Sequence, residues 1–341
     1  MIKSGHNLDL ISTDGVEQCF LSEDLKPYLR DKPSGVYDCQ ISYTAPLNYP
    51  NYLSSGTKNR FGIWCYEFAP NIPTNFVKYC SGDQYVDLIL PPSLFAKDIF
   101  ISSGVPESKL KVIPHGVDLA EIASAEPYPL KTKKEVKFLM VIGQPHTRKR
   151  IRDAIEAFYK AFTSNDNVCL VARLSSSKKI TQAFEVDVHK IIKDLNSLYP
   201  NRPEIELIDS FVPSIYSLHK SCQVIYTLTY AEAFYIPALD GLYCNNVVIA
   251  PRYGGHLDFC NDNNSLLIDG KLVKAPLNMQ YYQGSPQNAI FSANIDLAVD
   301  TLRYCYNNIE FLLSKFKPFF NPPGYSWDDV TSKIMELCDA A

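Results

Sequence analysis

Three polar segments in the second half of the chain each follow a short apolar run, at places where a ligand could bind. They are GQPHTRKR at residues 143–150, TLTYAEAFYIPALDG at 227–241 and APRYGGHLDF at 250–259. Open parallel sheets bind ligands beyond the carboxyl ends of their strands, so polar residues that directly follow predicted strands are the first candidates for a site.

The first segment has the composition of an anion pocket. A predicted strand ends at Gly143, the loop carries Arg148, Lys149 and Arg150, and a helix is predicted to begin directly afterwards. Cations beside a helix N-terminus, together with free backbone N–H groups, suit a ligand such as a diphosphate. A solvated basic loop would have the same composition, so composition alone leaves both interpretations open.

The second segment supplies two carboxylates. Glu232 lies just past a predicted strand, and Asp240 follows eight residues later in a helix whose first turn suits Pro237. Carboxylates at such a place accept hydrogen bonds from sugar or ribose hydroxyls. Two unrelated surface acids at this spacing are the alternative.

The third segment contains a pair of glycines after a predicted strand. Gly254 and Gly255 allow a tight turn and a close approach of the backbone, with His256 and Asp258 as polar candidates at its rim. A plain turn without a ligand explains the same residues.

Apolar runs separated by amphipathic segments predict the elements that position these loops. Strands are predicted at 7–12, 37–42, 60–65, 86–90, 111–114, 135–143, 168–172, 204–208, 223–228, 247–250 and 265–268. A helix from 151 to 162 places Ile151, Ile155, Phe158 and Phe162 on one face. Strands this apolar, with helices between them, predict α/β domains whose parallel sheets are covered on both faces.

The length of 341 residues predicts two domains. Residues 120–135, with two prolines and a KTKK cluster, favour a surface linker over an ordinary long loop. We therefore expect a first domain at 1–125 and a second at 126–318. Residues 319–341 should form a C-terminal helix, with Ser326 as its N-cap and Asp329 three residues later, that packs back on the first domain.

Composition narrows the class of protein. The formal net charge of −4, with acidic and basic residues well mixed, gives no overall reason to expect nucleic-acid binding. The ten cysteines form no CxxC pair, which favours a reducing cytoplasm over a zinc or disulfide protein. The sequence contains no stretch of about 18 apolar residues, so no membrane-spanning helix is predicted. Peripheral attachment to a membrane stays open.

The order and spacing of the three segments resemble the family 4, or group 1, glycosyltransferases. The donor domain of that family shows a strand ending in Gly, then Arg-Lys-Gly, then a Glu-x7-Glu segment, then a Gly-Gly turn. The counterparts here are GQPHTRKR, LTYAEAFYIPALD and RYGGHLDF, and FVPSIYSLHKSCQVIYTL resembles the elements before the Glu segment. VIPHGVD resembles the end of the family's first domain, with weaker likeness in WCYEFAPNIP and YSWDDV.

The resemblance covers nearly the whole chain and implies a GT-B fold, in which two Rossmann-like domains face a cleft. It implies a retaining, hexosyltransferase-like and metal-independent transfer without a cofactor. The sugar would move from a nucleotide-diphosphate sugar to the hydroxyl of a glycan, lipid or protein-linked acceptor. Lys149 matches the lysine that neutralises the diphosphate, Glu232 the acid near the donor sugar, and Asp240 the acid near the ribose. The implied donor site consists of Gly143, Arg148, Lys149, Thr229, Glu232, Ala233, Phe234, Tyr235 and Asp240.

The sequence also departs from the family pattern. Gln144 stands where many members have Arg, which Arg148 or Arg150 would offset, and Ala233 and Tyr235 replace two loop glycines. The usual first strand and its Gly-rich loop have no counterpart, which fits a shortened first domain, a chain that begins late, or a partner subunit. Two further functions therefore remain: a catalytically weak sugar-nucleotide-binding or scaffold subunit, and another GT-B enzyme such as a nucleotide-sugar epimerase.

Overall fold

A computed structural model describes residues 37–174, 186–275 and 288–339, with short stretches nearer the N-terminus at 7, 9–11, 25–31 and 35. These residues form two parallel sheets, one of three strands and one of six, flanked by helices, and a two-stranded antiparallel hairpin. The predicted α/β class is confirmed.

The first lobe is built on the three-stranded sheet, in the order β1-β2-β3. Its strands are β1 Cys39–Tyr43, β2 Asn59–Ile63 and β3 Leu88–Ile89. Its helices are α1 Tyr49–Tyr52, α2 Thr74–Ser81, α3 Leu94–Ser102 and α4 Leu119–Ser124. The predicted strand at 111–114 is wrong, because the ladder stops at a single bridge between Ile89 and Leu110. The predicted strand at 7–12 lies partly outside the described residues, and within them Leu10 bridges Leu29.

Local sequence determines both ends of α3. The Ser93 hydroxyl accepts a hydrogen bond from the Ala96 backbone N–H, which satisfies one of the free donors of the first turn. Gly104, just past the helix, has a φ of +92°, a conformation that costs glycine little. The capped N-terminus of α3 faces the second lobe, where the Leu94 N–H donates to Asp258 Oδ2 at 2.8 Å.

The second lobe holds the six-stranded sheet, whose strands are nearly continuous runs of Val, Ile and Leu. They are β4 Val136–Gly143, β5 Val168–Leu174, β6 Glu204–Ile208, β7 Val224–Tyr226, β8 Val247–Pro251 and β9 Ser265–Ile268. The helices are α5 Ile151–Ala161, α6 Val188–Leu198, α7 Ile215–Lys220, α8 Ile236–Tyr243, α9 Ile295–Asn307 and α10 Ile309–Phe316. Helices on both faces bury these strands, as the apolar pattern predicts.

In the strand order β6-β5-β4-β7-β8-β9 the strands are all parallel, but the side on which the chain adds new strands changes after β6. From β4 the chain adds β5 and β6 on one side, then crosses to place β7 on the other side of β4. At such a switch point the loops that follow the two central strands diverge and leave a crevice at their carboxyl ends. The loops after β4 and β7 are the first and second polar segments of the sequence.

The predicted linker is partly helical. The Asp118 carboxylate accepts a hydrogen bond from the Glu121 backbone N–H and starts α4, which extends to Ser124. The expectation of a linker from residue 120 is therefore wrong at its start, because the Asp118 cap stabilises a helix as far as Ser124. Residues 125–135 then run to β4 without regular structure.

Two elements near the C-terminus contact the first lobe. The hairpin of β10 Gly270–Lys274 and β11 Ala289–Ala293 places Ile290 in the apolar cluster of that lobe. The last helix, α11 Trp327–Asp339, begins with reciprocal Ser326 and Asp329 hydrogen bonds. Its Val330 packs with Phe61 and Leu90 of the first lobe. The hairpin and α11 thus both pack on the first lobe.

Candidate functional site

A buried group of charges fills the crevice between the loops after β4 and β7. The Nζ atom of Lys149 lies 2.7 Å from Glu232 Oε1, and Arg148 Nη1 lies 3.0 Å from Glu232 Oε2. The side chains of Arg148, Lys149 and Glu232 are 17%, 18% and 9% exposed. The structure therefore brings together two of the three cations of the first segment and the acid Glu232 of the second.

The ion pairs determine the protonation state of Glu232. Burial alone would raise the pKa of Glu232, but the positive charges of Arg148 and Lys149 outweigh burial and lower it to about 2. Burial also lowers the pKa of Lys149, although Glu232 opposes that effect. At neutral pH Glu232 is ionised and already has cationic partners.

A second acid, Glu67, reaches the same group from the first lobe. Its Oε1 atom lies 2.7 Å from Arg148 Nε, and burial raises the pKa of Glu67 while Arg148 lowers it. Sequence reasoning missed Glu67; the available signal was its place in WCYEFAPNIP, just beyond β2. We call Glu67, Arg148, Lys149 and Glu232 the cleft cluster; its formal charges cancel.

The Gly-Gly turn fixes the loop that carries Glu232. The Gly255 N–H donates to the Glu232 carbonyl at 2.8 Å, and a Cβ atom on Gly255 would lie 1.9 Å from the Ala233 carbonyl oxygen. From the first lobe, the Ser93 hydroxyl donates to that same oxygen at 2.6 Å. The close backbone approach predicted for this turn is confirmed, and it requires glycine.

The remaining predicted donor residues line or support the same loops. Tyr235 adopts a φ of +70° and its side chain is buried, while the Phe234 ring lies 5.1 Å from the ring of His115. The Thr229 hydroxyl lies 3.2 Å from the carbonyl oxygen of Arg148 and joins the two loops. Gly143, with a φ of +61°, ends β4 where the first loop begins.

Asp240 lies apart from the cleft cluster, within α8. It is 4% exposed, and His219 Nε2 of α7 lies 4.0 Å from its Oδ2 atom. Burial, with a smaller contribution from Glu121, raises the pKa of Asp240 to about 7. Burial also lowers the pKa of His219 to about 4, so His219 is neutral at pH 7 and leaves the carboxylate without a compensating charge.

Two polar candidates have structural partners instead. Arg150 pairs with Asp153 at 2.7 Å, donates to the Ala293 carbonyl at 2.8 Å and lies 4.8 Å from the centre of the Tyr230 ring. His256 is fully buried, with Nε2 donating to the Pro251 carbonyl at 2.7 Å, so its expected place at the rim is wrong. Arg148, rather than Arg150, joins Lys149 in the crevice.

Two further features of the described part of the chain bear on the site. No group of three or more His, Cys, Asp and Glu side chains there is arranged to hold a metal ion. Among the helices in those same ranges, none has the length and apolar character to cross a membrane.

The fold is shared with solved glycosyltransferase structures. A glycosyltransferase from Rickettsia africae matches with a TM-score of 0.63 and 16% identity, over 89% of this chain and 76% of its own. HepE from Anabaena, in complex with UDP, gives 0.61 and 13%, over 83% and 73%. Sucrose-phosphate synthase from Thermosynechococcus elongatus gives 0.61 and 13%, over 89% and 72%.

Sequence comparisons give a different result. A scan against protein-family models and a search of curated proteins both found no match. Identities of 13–16% to the solved structures show the fold alone. On that evidence the chain has the GT-B fold of two Rossmann-like lobes facing a cleft.

Proposed function

We propose that this protein is a retaining glycosyltransferase that moves a sugar from a nucleotide-diphosphate sugar to an acceptor hydroxyl. The observation that carries the proposal is the position of the Lys149–Glu232 ion pair, at the switch point between β4 and β7 of a GT-B fold. Ligands of open α/β sheets bind at this point. The HepE structures hold UDP and UDP-glucose, which are ligands of the proposed class.

The proposed role of Lys149 is to neutralise the diphosphate as it departs. In the free protein its ammonium group is paired with Glu232 at 2.7 Å in a mostly buried crevice. A donor diphosphate would take over this cation, and charge stabilisation in a site shielded from water is much stronger than in solution. Glu232 would then face the donor sugar from the start of its loop, with the backbone amides of Ala233 and Phe234 beside it.

Asp240 is proposed to accept hydrogen bonds from the ribose hydroxyls of the donor. It follows Glu232 by eight residues, in the second turn of α8, and its carboxylate lacks a cationic partner among the described residues. Hydroxyl groups of a ribose would provide the donors that this buried carboxylate needs. In this proposal Glu232 contacts the sugar of the donor, Lys149 the diphosphate and Asp240 the nucleoside.

We extend the proposal to a metal-independent, hexosyltransferase-like reaction that uses no cofactor, because Lys149 would supply the charge that a divalent ion supplies elsewhere. The acceptor is a glycan, lipid or protein-linked hydroxyl. A cytoplasmic place of action, with peripheral membrane attachment or a partner subunit left open, fits the nine described cysteines, all of which are free thiols.

A catalytically weak sugar-nucleotide-binding or scaffold subunit is the second candidate. The observation in its favour is Tyr235, which stands in the left-handed region with a buried side chain where the family pattern has glycine. A tyrosine there would narrow the sugar pocket or require another backbone path. Donor binding without turnover would support this second function.

A screen of nucleotides tests the proposal. UDP, GDP and ADP, free and sugar-linked, are added to the full chain, and melting is followed by scanning fluorimetry. A ligand at about a hundred times its Kd adds about 2.7 kcal/mol to the stability of the folded state. No shift with any of them at millimolar concentration would refute the donor site.

Turnover of the ligands that shift melting then separates the candidate functions. Hydrolysis or transfer that releases the sugar in its original anomeric configuration, seen by nuclear magnetic resonance, supports the retaining enzyme. Inversion at the anomeric carbon contradicts retention. An epimerised sugar indicates the epimerase instead, and binding with no product indicates the scaffold.

A further inference from the structure

One ion pair of the cleft cluster joins the two lobes. Arg148 belongs to the loop after β4, yet its Nε atom lies 2.7 Å from Glu67 Oε1 of the first lobe. Its Nη1 atom lies 3.0 Å from Glu232 Oε2 and donates to the Ala231 carbonyl at 2.6 Å. The Arg148 guanidinium is therefore held between a carboxylate from each lobe.

The position of Glu67 is itself fixed by the second lobe. The Asn288 side chain, next to β11, donates to the Asn71 carbonyl at 2.8 Å and accepts from the Asn71 N–H at 3.1 Å. The Ala289 N–H donates to the Ala69 carbonyl at 2.9 Å. These bonds anchor the loop that follows Glu67, so the carboxylate faces Arg148 from a supported backbone.

The two cations of the cleft cluster consequently differ in how many carboxylates hold them. Within the described residues, Lys149 has one carboxylate partner and Arg148 has two. A diphosphate that takes Lys149 displaces one acid, whereas a diphosphate that takes Arg148 must separate it from two. Charge-assisted hydrogen bonds are about twice as strong as neutral ones. Breaking one of them costs less than breaking two, which favours Lys149 over Arg148 as the partner of the ligand.

We propose that Glu67 is a positioning residue that keeps Arg148 away from the donor diphosphate. Lys149 is then free to turn to the diphosphate, while Arg148 stays on Glu232 and keeps that acid ionised and in place beside the donor sugar. The same restraint limits how tightly the nucleoside diphosphate product is held, and so favours its release. This inference rests on the proposed function and assigns a task to a residue outside the three polar segments of the second lobe.

The test compares Glu67→Gln with the unaltered chain. The probe is whichever of UDP, GDP and ADP raises the melting temperature most, and its Kd is measured by isothermal titration calorimetry. We expect Glu67→Gln to bind this nucleotide about tenfold more tightly, because Arg148 becomes available to the diphosphate. We also expect kcat to fall about tenfold, because Glu232 loses its anchor and the product leaves more slowly.

A double-mutant cycle shows whether Glu67 acts through Arg148. In an Arg148→Gln background, Glu67→Gln should no longer tighten nucleotide binding. The matched control is Glu107→Gln, which removes a first-lobe carboxylate from an exposed ion pair with Lys97 and should change neither Kd nor kcat. Should Glu67→Gln fold poorly, Glu67→Asp keeps the charge but withdraws it by one methylene, and should tighten binding by a smaller factor.

The outcomes separate this inference from the proposed function. A chain that binds none of the three nucleotides refutes the proposed function, and the inference with it. A chain that binds a nucleotide while Glu67→Gln leaves its Kd unchanged, or weakens binding, refutes the inference alone. Tightening that persists in the Arg148→Gln background also overturns it, since Glu67 would then act without Arg148.

Discussion

Replacing Asp240 by asparagine should stabilise the protein, by an amount that grows with pH. Asp240 is 4% exposed, and burial raises its pKa from an ordinary value of 3.8 to about 7. The native state therefore binds the proton of Asp240 more tightly than the unfolded chain does. Below about pH 4 Asp240 does not lower the free energy of unfolding. As pH rises the free energy of unfolding falls because of Asp240, and this loss is complete above about pH 7.

The size of the effect follows from the two pKa values. At about 1.36 kcal/mol per pH unit, the interval from 3.8 to about 7 corresponds to roughly 4 kcal/mol, an upper bound for a neutral replacement. Between pH 5 and pH 8 the cost rises by about 2–3 kcal/mol. Asp240→Asn removes this cost and keeps the shape of the side chain, so its advantage over the unaltered chain should be larger at pH 8 by that amount.

Urea unfolding at pH 5, 6.5 and 8, followed by far-ultraviolet circular dichroism, measures the advantage. Asp300→Asn, at an exposed aspartate of α9, is the control and should show no such pH dependence. If Asp240→Asn gives the same change in unfolding free energy at every pH, or destabilises the chain most at pH 8, the reasoning from burial is refuted.

At pH 8 the variant should also bind the donor more weakly, with a raised KM and little change in kcat, because a ribose contact is made equally in the ground and transition states.

Four further outcomes are expected. Lys149→Ala should lower kcat by about 10²- to 10³-fold without loss of fold, and near-normal transfer would assign Lys149 to a structural role. Glu232→Gln keeps one acceptor oxygen but removes the charge, so we expect a lower kcat with donor KM little changed. Steady-state kinetics with varied donor measures both constants, and an unchanged kcat would contradict this expectation. EDTA should leave transfer largely intact, and activity that returns only with magnesium or manganese would contradict the metal-independent proposal. Gly255→Ala should destabilise the chain by about 1–3 kcal/mol and reduce donor affinity, because its Cβ displaces the Ala233 carbonyl; Gly56→Ala, whose Cβ would make only an ordinary 3.7 Å contact with Ser54 Oγ, is the comparison in thermal melting.

The sequence predicts the second lobe better than the first. The strands β6 and β9 have the predicted bounds, because buried parallel strands are uninterrupted apolar runs that a reader of the sequence can see. In the first lobe β3 is only two residues long, and the segment at 111–114 forms no strand, although the Lys111 and Ile113 N–H groups donate to the Ile89 and Pro91 carbonyls. Apolar character alone does not say which extended segment completes a ladder.

The same limit explains what the sequence shows of the candidate site. Lys149 and Glu232 follow strands that are neighbours in the sheet, so knowledge of strand ends is enough to bring them together. Glu67 joins them only because the two lobes meet, and Arg150 leaves them because Asp153 and the Ala293 carbonyl hold it elsewhere. Those outcomes depend on contacts between segments more than 80 residues apart or on local turns, which spacing does not reveal.

Costly features of the structure concentrate around the crevice, and this distribution favours a functional site over a passive scaffold. Two of the four non-glycine residues with positive φ among the described ranges, Arg150 and Tyr235, lie in the loops after β4 and β7. Backbone in this region costs about 1–3 kcal/mol per residue and persists where surrounding contacts impose it. Asp240 and the four largely buried charges of the cleft cluster add the cost of desolvation. Hydrophobic residues would fill the same space at lower cost, and this agrees with the proposal that a charged, hydroxyl-rich ligand replaces the internal partners of these groups.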